Sequence, residues 1–237
     1  MTDTSLAGRL ALVTGASRGI GAATALALAA RGAHVVLTAR TASGLESIEQ
    51  QIFDAGGSAT IAPLDLAQSD SIARLAAAVG ERWPALDILV LNAAQLGSLS
   101  AVPAIDPKEL ASLLTLNVSA QAAMIAAFDP LLRRSSGARV IGVTSSVGRA
   151  PRAYWGAYGA TKAAFETLLE AYGDEMAAIS RVRVAILDPG ATRTAMRERA
   201  YPGEDPKTVK PPEAVADGIV RLAVDGFEPG HRERVEA

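Results

Sequence analysis

The chain has 237 residues, which fits one large α/β domain or two small ones, and 49% of them are apolar, enough for a sizeable buried core. A formal net charge of −2, with both signs interspersed, argues against a nucleic-acid partner, which would want a basic face. No cysteine means no disulfide, no thiolate nucleophile and no thiolate metal site; the two histidines, His34 and His231, carry no ligand spacing, so no metal is expected.

Residues 1–9 lack the apolar core of a signal peptide, and the small-apolar run 22–30 is too short for a bilayer. The expectation is a soluble, cytoplasmic protein with no membrane partner. The chain opens on an apolar strand over Leu10–Thr14, and glycines at 15, 19 and 21 follow it. Residues 20–31 predict an Ala-rich helix stopped by Gly32, and 35–37 a strand buried on both faces. A helix over 43–55 ends at Gly56 and Gly57, and a third strand over 59–63 closes on Asp65. Residues 69–82 predict a helix with Ser69 as its N-cap, and 87–91 a fourth strand.

The second half repeats the rhythm. A long helix over 107–134 is capped by Asp106 and carries Pro107 in its first turn. A strand over 140–144, a helix from 157 to 172 and a strand over 182–187 follow. Pro211 and Pro212 open a last helix to about 225, and the short, charged end 226–237 leaves the final strand reduced or missing. This alternation calls for a Rossmann-type, doubly wound parallel sheet with helices on both faces. No break divides residues 1–237, so one domain is expected. The segment 193–210 reads as a substrate lid. Its Arg193, Arg197 and Arg199 are diluted by Glu198, Glu204 and Asp205, which favours a solvated loop over a site for an acidic substrate.

Gly15-Ala16-Ser17-Arg18-Gly19-Ile20-Gly21 sits where a strand hands over to a helix. Glycine lets the backbone turn tightly and approach an anion, and helix N-terminal amides favour a pyrophosphate. In NAD-preferring sites a carboxylate at the end of the second strand holds the ribose 2′-hydroxyl. Here that strand ends Leu37-Thr38-Ala39-Arg40, and Arg18 and Arg40 can grip a 2′-phosphate from two sides, so NADP(H) is favoured. Asp65, beside Leu66, either accepts from the adenine amino group or caps the next helix. Asn92 follows the fourth strand on the carboxyl edge, where such sheets bind ligands.

Tyr158 and Lys162 lie one turn apart on a helix and project to the same side. A free phenol has a pKa of about 10, and a neighbouring cation is expected to pull it toward the working range. That is a proton-transfer device. Tyr154 and Trp155, just before it, line a pocket or simply pack.

Taken together these residues resemble the short-chain dehydrogenase/reductase family over nearly the whole chain. Thr14 to Gly21 matches the family's cofactor loop and Tyr158-x-x-x-Lys162 its catalytic pair. Ser145, thirteen residues before Tyr158, matches the catalytic serine, with Ser146 a neighbouring rival, and Asn117 matches the asparagine of the helix after the fourth strand. Asp188-Pro189-Gly190-Ala191-Thr192 resembles the family's Pro-Gly segment, whose threonine faces the nicotinamide carboxamide. The family's Asn-Asn-Ala-Gly appears here as Leu91-Asn92-Ala93-Ala94.

The resemblance implies hydride transfer between a nicotinamide and a small-molecule carbonyl or secondary alcohol. Tyr158 would give the proton, Lys162 would serve both the phenol and the nicotinamide ribose, and Ser145 would bond the carbonyl oxygen. Asn117 would anchor a water joining Lys162 to solvent. Gly15, Ser17, Arg18, Gly19, Ile20, Gly21, Arg40, Asp65, Leu66, Asn92, Pro189, Gly190 and Thr192 complete the cofactor contacts. The alternative is a catalytically silent NADP-binding regulatory or scaffold module of the same fold. The long helix over 107–134 and the Tyr158 helix are apolar on more than one face, which points to a homodimer or homotetramer.

Overall fold

The structure, a computed structural model, describes residues 4–236, apart from the side chain of Ser69. Seven strands form one all-parallel sheet in the order β3-β2-β1-β4-β5-β6-β7. They are β1 (Leu10–Thr14), β2 (His34–Ala39), β3 (Ser58–Pro63), β4 (Ile88–Leu91), β5 (Arg139–Val143), β6 (Arg183–Asp188) and β7 (Arg232–Arg234). The final strand is thus reduced to three residues but present, pairing Ile186 with Arg232 and Asp188 with Arg234.

Helices α1 (Gly19–Ala30), α2 (Ala42–Asp54) and α8 (Pro212–Asp225) carry residues of the apolar core on one face of the sheet. On the other face lie α3 (Ser69–Arg82), α5 (Ala120–Arg134) and α6 (Gly156–Ile179). Strands β1 and β4 are buried along their whole length, as a sheet covered on both faces requires. The chain steps from β1 outward to β3 and then crosses back to β4, so β1 and β4 flank the switch point where such sheets bind ligands.

Three local expectations change. The α3 helix begins at Ser69 and its N-cap is Gln68, which makes no side-chain cap; the Ser69 side chain itself lies outside the description. Asp106 does cap α4 (Pro107–Leu114), accepting from the Lys108 amide at 2.9 Å. The long helix forms from Pro107 to Arg134 as expected, but a π-turn over Thr115–Ser119 interrupts its α-helical ladder between α4 and α5. Within the 193–210 segment a short helix, α7 (Ala195–Ala200), forms behind a cap in which Thr194 accepts from the Arg197 amide.

The bilayer argument also shifts. By length and composition the 107–134 helix could cross a membrane, with a mean hydropathy of 1.5 over its best window. Its Met124, Phe128, Leu131 and Leu132 are instead buried in the core against the sheet.

Helix α6 meets the end of β5 and the turn after it at two points where no side chain intervenes. A Cβ at Gly142 would stand 2.2 Å from a Leu169 methyl, and one at Gly159 would stand 2.9 Å from the Val147 carbonyl oxygen. Two absent side chains therefore let α6 settle onto both β5 and the 3₁₀ turn that follows it (Ser146–Gly148).

Candidate active site

The phosphate end is built at the C-terminus of β1. Gly15 and Gly19 have φ values of +67° and +57°, a region that side-chain-bearing residues avoid. A Cβ at Gly21 would stand 2.2 Å from the Gly15 carbonyl oxygen, so the loop folds tightly over the first turn of α1. Arg18 occupies the N-cap position of α1 without capping it, which leaves the first amides of the helix to an outside acceptor. A cradle closed to a methyl group and a side-chain-free helix N-terminus fit a dinucleotide pyrophosphate.

The cradle is braced from β4. The Thr14 hydroxyl donates to the Val90 carbonyl (3.2 Å) and accepts from the amides of Asn92 (2.9 Å) and Ala93 (3.0 Å). Asn92 returns the tie, its Nδ2 donating to the Thr14 carbonyl at 2.8 Å. Toward β2, the Ala16 amide donates to the Thr38 carbonyl at 3.1 Å, which brings the segments bearing Arg18 and Arg40 side by side; both arginines are exposed. Ser17 packs against the start of α2, where a Cβ at Gly44 would meet its own at 2.9 Å. Asp65 accepts from the Ala67 amide at 3.0 Å, so it serves as a turn cap here, while the Leu66 side chain is buried in the core.

At the chemistry end, Tyr158 and Lys162 are buried on the face of α6 that meets β5. The Lys162 Nζ donates to the Val143 carbonyl at 2.9 Å and lies 5.7 Å from the centre of the Tyr158 ring. Burial pulls the lysine down to about 8 from 10.5, against the opposing pull of the Glu166 charge. Between those two values the unfolded chain binds more protons than the folded one. Lys162 therefore costs stability at neutral pH, and the cost is relieved as pH rises through that window.

The phenol moves the other way from the sequence expectation. Burial first, and the Asp188 charge second, push Tyr158 above its ordinary value. Ser145 follows β5 and precedes the 3₁₀ turn without using its hydroxyl as a cap, whereas Ser146 Oγ accepts from Arg152 at 3.4 Å.

Asn117 sits inside the π-turn and is 1% exposed. Its amide is shared between Gln95, whose backbone it bonds twice at 2.8 Å, and the Thr161 hydroxyl at 3.0 Å. Thr161 in turn donates to the Tyr158 carbonyl. Asn117 thus reaches α6 through Thr161.

Gly190 turns at φ +60° and Thr192, buried, donates to the Pro189 carbonyl at 2.9 Å, so its hydroxyl is spent within its own loop. Around the phenol, Leu96, Val147, Trp155, Met196 and Ala200 form a separate apolar cluster. The Tyr158 hydroxyl points at the Met196 sulfur 3.9 Å away. Trp155 stands edge-on to Tyr158 and packs on Tyr201, while Tyr154 is exposed. Arg197, stacked on Tyr201, is paired with Glu204, so it offers no free cation to an acidic substrate.

Two buried polar residues were missed from sequence. Gln121 donates to the Ala93 and Leu116 carbonyls at 3.0 Å, supplying bonds where the π-turn interrupts the helical ladder. Glu166 lies four residues after Lys162, and that spacing was a readable signal.

A doubly wound parallel sheet with a glycine cradle at its switch point defines a dinucleotide-dependent class of protein. A family model described as short chain dehydrogenase matches residues 9–205. The chain is 37% identical over 207 residues to the uncharacterized oxidoreductase YciK of Escherichia coli K12, covering 86% of this chain and 81% of that protein. It is 35% identical over 213 residues to a rhamnolipids biosynthesis 3-oxoacyl-[acyl-carrier-protein] reductase of Pseudomonas aeruginosa, covering 87% and 80%. A solved structure from Shigella flexneri, assigned as a short chain dehydrogenase and complexed with NADP, superposes with a TM-score of 0.95 at 34% identity, covering 100% of both chains. The chain belongs to the short-chain dehydrogenase/reductase family, a family of oxidoreductases.

The cradle makes a sharp prediction. Gly21→Ala forces a methyl group against the Gly15 carbonyl, and the loop must open to admit it. Titration of the variant with NADPH should show affinity reduced at least about ten-fold, with the unfolding midpoint changed far less.

Proposed function

We propose that this chain is a cytoplasmic, single-domain NADP(H)-dependent oxidoreductase acting on a carbonyl or secondary alcohol, with residues 193–210 as its lid. The observation that carries this reading is the buried Tyr158–Lys162 pair on α6, at the mouth of the sheet that bears the glycine cradle. When bound, the nicotinamide supplies or accepts the hydride. In the direction of reduction the Tyr158 phenol donates its proton to the carbonyl oxygen, and the raised pKa keeps that proton in place until charge develops there.

Lys162 is the charge beside this transfer. Its ammonium leaves the Val143 carbonyl to engage the ribose hydroxyls and the phenol, and Ser145 donates to the oxygen that gathers negative charge. Asn117 braces the pair through Thr161, and a water held beside it would pass protons from Lys162 to solvent. Met196 and Trp155 present the substrate with an apolar wall. This supports a substrate with an apolar group next to its carbonyl, and Met196 withdraws from the Tyr158 hydroxyl as that oxygen arrives.

Tyr158→Phe should lower turnover by at least about a thousand-fold, at the strong end for loss of one general acid, and leave NADPH affinity near wild type. Lys162→Met should damage both. A panel of ketones, aldehydes and oxoacyl thioesters assayed by NADPH oxidation checks this, and substantial turnover by the Tyr158→Phe enzyme would remove the assignment.

The absence of a carboxylate at Ala39 and the exposure of Arg18 and Arg40 support the choice of NADP(H). The NADP bound in the Shigella flexneri relative supports it independently. A charge-assisted hydrogen bond contributes roughly 1.5–3 kcal/mol, so Arg18→Ala or Arg40→Ala should each weaken NADPH about ten- to a hundred-fold and leave NADH nearly unchanged. Ala39→Asp should move preference toward NADH. Titration of both cofactors at one fixed salt concentration tests this; equal wild-type affinities would contradict it.

Assembly is part of the same reading. Leu114 is 38% exposed and Ile179 is 64% exposed, on α4 and at the end of α6. Apolar surface on these helices supports a homodimer or homotetramer about a two-fold axis. Light scattering at micromolar concentration should give at least twice 24.4 kDa.

A further inference from the structure

One turn beyond Lys162, α6 carries a charged residue that the reaction above does not use. The Glu166 carboxylate is 4% exposed and is surrounded by donors from three directions. The Thr144 hydroxyl donates to Oε1 in a very short bond; Arg149 Nε donates to Oε2 at 3.1 Å and Arg232 Nη2 to Oε2 at 2.6 Å. The other charged group in contact with these arginines is Glu170, also on α6, which Arg232 reaches at 3.3 Å and Arg149 reaches more closely. Two cations therefore meet two carboxylates here, and Lys162 lies one turn away.

The positions of the donors matter. Thr144 directly precedes Ser145, and Arg149 directly follows the 3₁₀ turn. Glu166 thus grips both ends of the short stretch that carries Ser145 and fastens it to the helix that carries Tyr158 and Lys162. Gly148 permits the grip, since a Cβ there would come within 3.0 Å of Glu166 Oε1. A purely mechanical clamp could be apolar, because replacing a buried ion network by well-packed hydrophobic residues of similar volume is often neutral or stabilising. The charge calls for another explanation, and the nearest group that needs one is the Lys162 ammonium, buried with few counter-charges.

We propose that Glu166 is a positioning residue for the reaction: its buried carboxylate keeps Lys162 charged beside Tyr158 and holds the Ser145 segment against α6. This rests on the reading of Tyr158, Lys162 and Ser145 given above. The ionisation states agree. Burial pushes the Glu166 carboxyl up, but hydrogen bonds from Arg232 and Thr144 overcome it and hold the group below its ordinary value. Burial pulls Lys162 down and the Glu166 charge resists the fall.

The chain has four lysines, Lys108, Lys162, Lys207 and Lys210, so protein labelled with ¹³C-lysine gives a spectrum in which Lys162 is assigned by its loss in Lys162→Met. In the wild type the Lys162 resonance should titrate near 8. In Glu166→Gln it should titrate about one pH unit lower, because an opposite charge has been removed. Glu166→Asp, which keeps the charge, should stay close to wild type. Arg232→Met should move it upward, since Glu166 then has one counter-charge fewer. The charged form is present below the pKa and lost above it, so the alkaline limb of kcat/KM should follow each shift. At pH 8 the Glu166→Gln enzyme should fall about five-fold as its charged fraction drops.

An unmoved Lys162 titration in Glu166→Gln overturns the proposal, as does a shift in the same direction for Glu166→Gln and Arg232→Met. If Glu166→Gln does not fold, the Glu166→Gln/Arg232→Met double variant, which removes both charges of that pair, takes its place: a Lys162 titration below that of Arg232→Met supports the proposal, and one equal to it or above it overturns it. The lysine titration needs no turnover. A wild type that oxidises no NADPH would defeat the functional reading and still leave the electrostatic coupling measured.

Discussion

The side-chain-free contact of α6 with the end of β5 and the turn after it is the constraint on which the site depends. Side chains at 142 and 159 would hold the helix off the strand and the turn after it, and with it the Lys162 ammonium off the Val143 carbonyl. Glycine at 142 and 159 removes the obstruction, with Leu169 and the Val147 carbonyl filling the space a side chain would take. The approach buries Tyr158 and Lys162 together, and from that burial come both the raised phenol and the lowered lysine. One packing decision in β5 therefore sets the protonation of two groups on α6.

The opposite end of the site is held by hydrogen bonds more than by packing. Thr14 joins β1 to β4 through one hydroxyl that donates once and accepts twice, and Asn92 closes the circuit. The glycine loop thereby inherits the rigidity of the two central strands. The two ends meet across β4 and β5, whose paired residues Leu91 and Gly142 lie side by side.

Much of this was legible in the sequence. The apolar runs located the central strands because these are buried on both faces, and the glycine spacing marked the turn at the switch point. The Tyr158–Lys162 spacing put both groups on one helical face. What escaped detection depends on contacts between distant segments. The π-turn at Thr115–Ser119 has no compositional mark, since it is stabilised by Gln121 and by Asn117 reaching Gln95. The α7 helix is short and polar, and forms behind a Thr194 cap that reads like any loop threonine. The sign of the Tyr158 shift was missed because helical spacing gives proximity to a cation but not depth of burial.

The π-turn also constrains how this chain can be altered. It holds one residue more than an α-helical turn, so the faces of α4 and α5 are out of phase with each other. Winding the same residues into a regular α-helix would swing everything before them by about 100°. The Asn117 amide would leave both Gln95 and Thr161, and α4 would turn a different side toward its neighbours. Regularity and function are opposed at this point. A redesign that scored helices by their ideality would correct the segment first, and in doing so would disconnect the Gln95 loop from α6.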